Sequence, residues 1–272
     1  MNPYAIPPLI TSLLVFLLGW FVFFKNPKAK TNVLFLLESL SISLWLYSDY
    51  MMFSEILSEK HFIWARIAYV PVIFIPLFFL HFTLSFLRLN RFKTILVVSY
   101  AMSFLFLLSL LLTNKLVEGV EQHYWGYYPK VGFLHNILLV YYGILIFLTY
   151  WAFYITLKGE SQPPHERNKV KLVLFAFIIA YQAWIDFLPK YGVEFYPIGF
   201  AFVGIWFIVV AYAIVRHRLF DIKVVISRGT AYALTLGFGI LPAGITVFFL
   251  QKVYPLTVPI ALIVILAVGL AF

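Results

Sequence analysis

The chain has 272 residues, of which 63% are hydrophobic and only 11% are charged. A soluble globular domain carries about 25% charged residues, so this composition excludes a soluble core and predicts an all-α protein with the bilayer as its solvent. The net charge of +9 would suggest nucleic acid binding in a soluble domain. Here the basic residues lie in short loops between apolar segments, so no nucleic acid partner is predicted. Because the sequence contains no cysteine, disulfides and Cys-ligated metal sites are excluded.

Apolar segments recur along the whole chain, and most have the roughly 20 residues that a membrane-spanning helix needs. In chain order they cover about residues 5–24, 33–53, 62–87, 94–113, 137–157, 172–188, 195–215, 229–250 and 258–272. The pattern predicts a polytopic helical bundle with about nine transmembrane helices. Since the last segment is short and has no basic flank, we expect the given sequence to stop inside a helix.

Basic residues are unevenly distributed between the loops, and this predicts the orientation. Most of the Lys and Arg residues lie in the first, third, fifth and seventh loops. By the positive-inside rule these loops are cytoplasmic and the N-terminus is outside. The first helix is an N-out anchor rather than a cleaved signal peptide, because no positive charge precedes it and three lysines follow it.

Five ionisable residues inside the predicted spans invite a functional interpretation, since burying such groups in a membrane is costly. Glu38 and His81 lie at nearly the same depth and could form an intramembrane polar pair. Asp49, Arg66 and Asp186 each lie about one turn below the outer ends of their helices, so they could form an outer ionic cluster. The cluster is either a ligand or proton site that opens outward, or a structural ion pair.

Aromatic and polar side chains near the outer surface extend this candidate site. Trp125 lies in an aromatic run, residues 123–129, which is either a lid over the bundle or an interfacial aromatic belt. Gln182 and Asp186 are four residues apart, which places them on one face of an α-helix, with Trp184 between them. The candidate ligand-binding residues are therefore Asp49, Arg66, Trp125, Gln182, Trp184 and Asp186. No catalytic or metal-binding motif is present, since Lys169 stands where a zinc helix beginning at His165 would need its second histidine.

Residues 186–192, 196–200 and 211–222, with the downstream sequence VVISRGTAY, carry a recognisable pattern. It resembles the N-terminal seven-helix sensor region of bacterial membrane histidine kinases over about residues 62–232. The resemblance implies a multi-pass protein of the plasma (inner) membrane that detects an unknown extracellular or intramembrane cue. It also implies a homodimer that signals to a response regulator through a cytoplasmic kinase module. ATP and magnesium are expected only for that module, which these residues do not contain, so enzyme activity stays open.

The predicted organisation has three parts: a seven-helix sensor domain (1–215), a connector (216–228) and a transmembrane hairpin (229–272) before an effector domain. In the connector, charged residues alternate with apolar ones; the charged residues are Arg216, Arg218, Asp221, Lys223 and Arg228. This pattern is typical of an amphipathic element on the cytoplasmic leaflet, or of a simple positive stop signal. The alternative function is a small-molecule transporter or permease that uses Glu38, Asp49, Arg66 and Asp186 along a pathway. An intramembrane enzyme is a third hypothesis.

Overall fold

The computed structural model describes residues 2–54, 60–159, 163–217 and 219–221. The two predicted spans at 229–250 and 258–272 lie outside the described residues, as do Lys223 and Arg228 of the connector. The side chains of Arg216, Arg218 and Asp221 also lie outside the description.

A helix covers each of the seven apolar segments predicted between residues 5 and 215. The seven α-helices are α1 Ile6–Lys25, α2 Lys30–Phe53, α3 His61–Phe86, α4 Lys93–Leu112, α5 Phe133–Lys158, α6 Pro164–Tyr181 and α7 Gly199–His217. Within the described residues, five helical segments are long and apolar enough to cross a membrane: Pro3–Lys25, His61–Phe86, Asn90–Leu112, Phe133–Lys158 and Pro164–Tyr191. The apolar part of α7 is shorter, Gly199–Ile214. The structure thus supports a helical membrane bundle, while the predicted number of nine spans stays a prediction.

The helices pack in a closed ring. In this ring α1 contacts α2, α2 contacts α3, α3 contacts α5, α5 contacts α6, α6 contacts α7, and α7 contacts α1. Helix α4 packs on the outside of α3. Short connections make neighbouring helices antiparallel, so the ends of the bundle differ. We call the end where α1, α3, α5 and α7 terminate the basic end, because Lys25 and Lys158 close two of these helices there. The opposite end carries a β-hairpin and is called the hairpin end.

Buried polar side chains join α1 to α2. The Ser12 hydroxyl donates to the Ser43 carbonyl at 2.9 Å, and the Ser43 hydroxyl donates to the Ser12 carbonyl at the same distance. Nearer the basic end, the Asn32 amide donates to the Val22 carbonyl at 2.9 Å. Interhelical hydrogen bonds of this kind fix the register of two helices in a membrane, where lipid offers no competing donor or acceptor.

A two-stranded β-hairpin, which was not predicted from the sequence, lies between α4 and α5 of the helical bundle. Strands β1 Val117–His123 and β2 Gly126–Val131 are antiparallel, and His123 pairs with Gly126 across the turn. Gly126 has φ 139°, and a Cβ there would lie 2.6 Å from the Phe53 Cα. Only glycine combines this backbone conformation with so close an approach. The hairpin consequently sits directly against the end of α2.

Candidate functional site

A small cavity lies inside the hairpin end of the bundle. Its lining residues come from α2, α3, β2, α5, α6, α7 and the 3-10 helix Gln182–Tyr191 that continues α6: Ile42, Trp45, Val72, Ile75, Phe79, Tyr128, Tyr142, Ala180, Tyr181, Ala183, Trp184, Asp186, Phe187, Lys190 and Val203. The cavity volume is about 40 Å³. That is room for water, and it is far below the roughly 300–1,000 Å³ of a site for a drug-sized ligand. A larger ligand would have to widen it.

Asp186 is buried on the cavity wall and joins three elements. One of its carboxylate oxygens accepts a hydrogen bond from the backbone N–H of Gly199, the first residue of α7, at 2.8 Å. The hydroxyl of Tyr128 in β2 donates to the Asp186 carbonyl oxygen at 2.7 Å. Burial and the nearby carboxylates of Asp186 and Asp49 raise the pKa of Tyr128 well above its ordinary value. Its hydroxyl therefore stays protonated and able to donate.

Lys190 places a cation among aromatic rings. Its ammonium donates to the Tyr69 hydroxyl at 3.2 Å and lies 4.6 Å from the centre of the same ring. The rings of Phe187 and Tyr128 lie 4.8 and 5.4 Å away. Ring faces attract a desolvated cation, so these three rings hold the ammonium at the cavity wall.

Asp49, on α2, is a third ionisable residue near Asp186 and Lys190. It is 3% exposed and interacts electrostatically with both Asp186 and Lys190. Within the described residues, the three groups form no ion pair with one another closer than 4 Å; the ion pairs found there involve Lys130, His165 and Lys169. We call Asp49, Asp186 and Lys190 the polar cluster. Two carboxylates and one ammonium from two elements thus face one another at the hairpin end.

Arg66 does not join the two aspartates as the sequence suggested. Its guanidinium instead donates to the carbonyls of Leu110, Leu111 and Thr113 and, at 2.7 Å, to the side-chain oxygen of Asn114. These carbonyls close α4, and the last carbonyls of a helix lack intrahelical donors and attract a cation. Arg66 therefore caps α4.

Glu38 and His81 also do not pair. The Nδ1 of His81 lies 2.8 Å from the Tyr100 hydroxyl on α4. Glu38 is fully buried, and neither of its carboxylate oxygens has a hydrogen-bond partner within the described residues. Its electrostatic neighbour is Tyr181, which lines the cavity. His81 thus contacts α4, while Glu38 lies near Tyr181 of α6.

The 3-10 helix separates Gln182 from Asp186. With three residues per turn, positions four apart no longer share a face, whereas they would in an α-helix. Gln182 is exposed and its amide donates to the Ile178 carbonyl at 3.0 Å, while Asp186 points inward. Trp184 is half exposed, yet it lines the cavity as expected for the site.

Trp125 belongs to the hairpin turn rather than to the cavity wall. It is fully buried, and its ring stacks on His123 with centroids 4.4 Å apart. Its carbonyl accepts a hydrogen bond from the Asn2 side chain at 2.8 Å, and the same amide donates to the Phe53 carbonyl at 2.7 Å. Trp125 thus anchors the N-terminus and α2 beneath the hairpin.

Three residues of the site were not among the predicted ligand-binding residues: Lys190, Tyr69 and Tyr128, although Tyr128 lies in the aromatic run 123–129 that was considered as a lid. In the sequence analysis, Lys190 was one of the few basic residues outside the first, third, fifth and seventh loops. A signal was available, because Lys190 follows Pro189 at the end of an apolar segment that already contains Asp186. An acidic and a basic residue within one apolar segment each invite a search for a partner inside the membrane.

One of the comparisons with known proteins identifies a family. No curated protein and no solved structure matches the chain significantly. The model of the N-terminal 7TM region of histidine kinase matches residues 7–223. This confirms the resemblance inferred from the sequence and extends it toward the N-terminus to include α1 and α2. The chain is a multi-pass membrane protein and belongs to the family of N-terminal seven-transmembrane regions of histidine kinases.

Proposed function

We propose that this chain is the input region of a sensor histidine kinase, and that its cue acts at the cavity and the polar cluster. The observation that carries the proposal is the position of Asp186, which lines the cavity and also binds the first backbone N–H of α7. A cue that displaces the Asp186 carboxylate therefore changes how α7 begins. Since α7 leads toward the C-terminal part of the chain, a change there has a direct route onward.

The mechanism is a shift between two packings of the bundle. A ligand changes such an equilibrium only by binding one packing better than the other. The resting cavity holds little more than water, so a cue that needs more room selects a wider arrangement of the 3-10 helix against α2 and α3. Widening moves Asp186 and Lys190 away from Asp49, and the Asp186–Gly199 hydrogen bond transmits the movement to α7.

The setting of this input region is part of the proposal. The basic end faces the cytoplasm and the hairpin end faces outward, which exposes the cavity to an extracellular or lipid-borne cue. Residues 1–215 form the sensor domain, 216–228 a cytoplasmic connector, and 229–272 a transmembrane hairpin before the effector. A kinase module beyond residue 272 binds ATP and magnesium, works as a homodimer and phosphorylates a response regulator.

The test compares charge and hydrogen bonding at position 186 in the full-length protein. Asp186→Asn removes the charge opposite Lys190 and Asp49, yet it keeps an oxygen that can accept from Gly199. We expect basal autophosphorylation to change about tenfold, as a one-decade shift of a two-state equilibrium gives. Glu121→Gln is the matched control, because Glu121 is an exposed carboxylate on β1 that pairs with Lys130. Wild-type phosphorylation of a folded Asp186→Asn protein would leave Asp186 with a structural role.

A further inference from the structure

The chain turns back onto the bundle directly after α7. Residues Leu219–Asp221 form a single 3-10 turn at the basic end. Leu219 is 2% exposed. The ring of Phe220 lies 5.0 Å from the ring of Phe35 on α2 and 5.9 Å from the ring of Phe82 on α3. Phe220 is therefore docked near the basic ends of α2 and α3, and Leu219 beside it is buried.

This docked turn holds its backbone in an unfavourable conformation. Phe220 has φ 64° and ψ 19°, in the left-handed region. A bulky aromatic residue rarely adopts this region, because its Cβ crowds the backbone. Such strain persists only where the surrounding packing overcomes it. The contacts of Phe220 with Phe35 and Phe82 and the burial of Leu219 together provide that packing, so loss of both would let the turn relax into another conformation.

A continuous series of rings connects the cavity to Phe220. Tyr181 and Phe79 line the cavity, with centroids 5.0 Å apart. From there the successive centroid distances are 6.3 Å from Phe79 to Trp206, 5.8 Å from Trp206 to Phe35 and 5.0 Å from Phe35 to Phe220. Every step lies within the range of favourable edge-to-face or offset contacts.

A second branch leads to the same place. The Phe177 ring lies 4.4 Å from Phe79, edge to face, and 5.8 Å from Phe82, which in turn contacts Phe220. Phe79 is 2% exposed and belongs to both branches. Close-packed rings of this kind cannot absorb a displacement locally, so a moved Phe79 has to be accommodated by its neighbours.

We propose that Leu219 and Phe220 form an output latch, which is docked on Phe35 and Phe82 when the cavity is empty and released when the cavity is filled. Release follows because a filled cavity displaces Phe79, and both ring branches carry the displacement to the docking site. Released, the strained turn relaxes and the chain leaves α7 in a different direction. The signalling consequence rests on the function proposed above, whereas docking and release belong to this chain alone.

The first experiment tests whether docking strains the turn. Phe220→Gly and Phe220→Ala both remove the ring, but only glycine is free of the left-handed penalty. We expect the Gly variant to melt at a temperature at least as high as the Ala variant. At Phe207, a buried residue inside α7, the order should be reversed, because glycine weakens a regular helix. The same order at both positions would overturn the strained latch.

The second experiment measures release. The chain has no cysteine, so Leu219→Cys introduces a single buried thiol and keeps the Phe220 ring. Its reaction with N-ethylmaleimide in detergent reports the fraction of undocked latch. Ala183→Phe fills the cavity, and we expect it to speed labelling about tenfold, as a one-decade shift of the docking equilibrium gives. Ile178→Phe adds the same ring on the exposed side of α6 and should leave the rate unchanged. Equal rates in the two variants would overturn the coupling.

A further variant tests the route of this effect. Phe79→Leu removes the ring shared by both branches, so adding Ala183→Phe to Phe79→Leu should no longer change the labelling rate. A persisting tenfold increase would overturn the ring route.

The two proposals fail differently. Faster labelling with unchanged autophosphorylation refutes the proposed function and keeps the latch, whereas changed autophosphorylation with unchanged labelling refutes the latch.

Discussion

The carboxylate of Asp186 accepts a hydrogen bond from the backbone N–H of Gly199 at 2.8 Å, and it fills the space that a Cβ of residue 199 would occupy. Because residue 199 is a glycine, the buried Asp186 carboxylate can approach the start of α7 this closely. An N-terminal N–H has no partner within its own helix, and the positive end of the helix dipole favours a carboxylate there. This contact connects the cavity wall to α7.

A methyl group at position 199 should break this contact. We expect Gly199→Ala to lower the free energy of unfolding by about 1–3 kcal/mol, because the carboxylate must move out of a packed site. Gly204 lies in the same helix with nothing within 4 Å of an added Cβ. Gly204→Ala should raise the stability by about 0.4–1 kcal/mol, since alanine restricts the unfolded chain. Unfolding in detergent micelles measures both, and equal effects at the two positions would contradict the contact.

Glu38 and Asn32 give a matched pair on α2, because both are fully buried but only Asn32 has a hydrogen-bond partner in the described structure. Removing an unpaired polar group loses no bond, so we expect Glu38→Leu to leave the stability unchanged or to raise it by up to about 2 kcal/mol. Asn32→Leu should cost about 1–2 kcal/mol, because it leaves the Val22 carbonyl without its donor. Unfolding in the same micelles gives the comparison. A loss at Glu38 as large as at Asn32 would mean that Glu38 has a partner.

Lys190 should be the most sensitive member of the polar cluster. Lys190→Met leaves two buried carboxylates facing each other, and we expect a loss of about 3 kcal/mol in unfolding free energy. Adding Asp49→Asn should restore part of that loss, since one of the facing charges is then gone. The control is Lys130→Met, because Lys130 pairs with Glu121 on an exposed surface. Such a pair is worth about 0–1 kcal/mol. If the double variant recovers none of the lost stability, Asp49 and Lys190 do not interact.

Helix positions followed from the sequence, because apolar length depends on residue type alone. Rotation about each helix axis did not follow. Glu38 and His81 were predicted to pair, yet His81 turns toward Tyr100 on α4 and Glu38 has no hydrogen-bond partner in the described structure. Arg66 lies on α3 and caps the end of α4, and the sequence does not specify how these two helices pack. Since lipid and protein interior are equally apolar, neither α2 nor α3 shows a strong periodicity to indicate which side is buried.

Neither the β-hairpin nor the 3-10 helix was predicted from the sequence. Residues 117–131 mix charged, small and aromatic side chains, so they show no clean two-residue alternation, and Pro129 argued against a strand. The hairpin is stabilised by contacts with the ends of α2 and α3, which appear only in the folded chain. The 3-10 helix Gln182–Tyr191 contains Pro189 and is followed by Gly192, and this local signal was available. Its consequence, the separation of Gln182 from Asp186, could have been anticipated.

Cysteine labelling tests the orientation of the bundle, on which the outward-facing cavity depends. Two loop positions are poorly suited to this experiment, because Ser161 lies outside the described residues and Gly126 is packed against α2. Asn26 at the basic end and Gln122 on β1 are both exposed and are better positions. With the N-terminus outside, a membrane-impermeant maleimide should label Gln122→Cys in intact cells and Asn26→Cys only after permeabilisation. The reverse pattern would turn the bundle over and direct the cavity to the cytoplasm, and labelling of both in intact cells would contradict the two-ended packing itself.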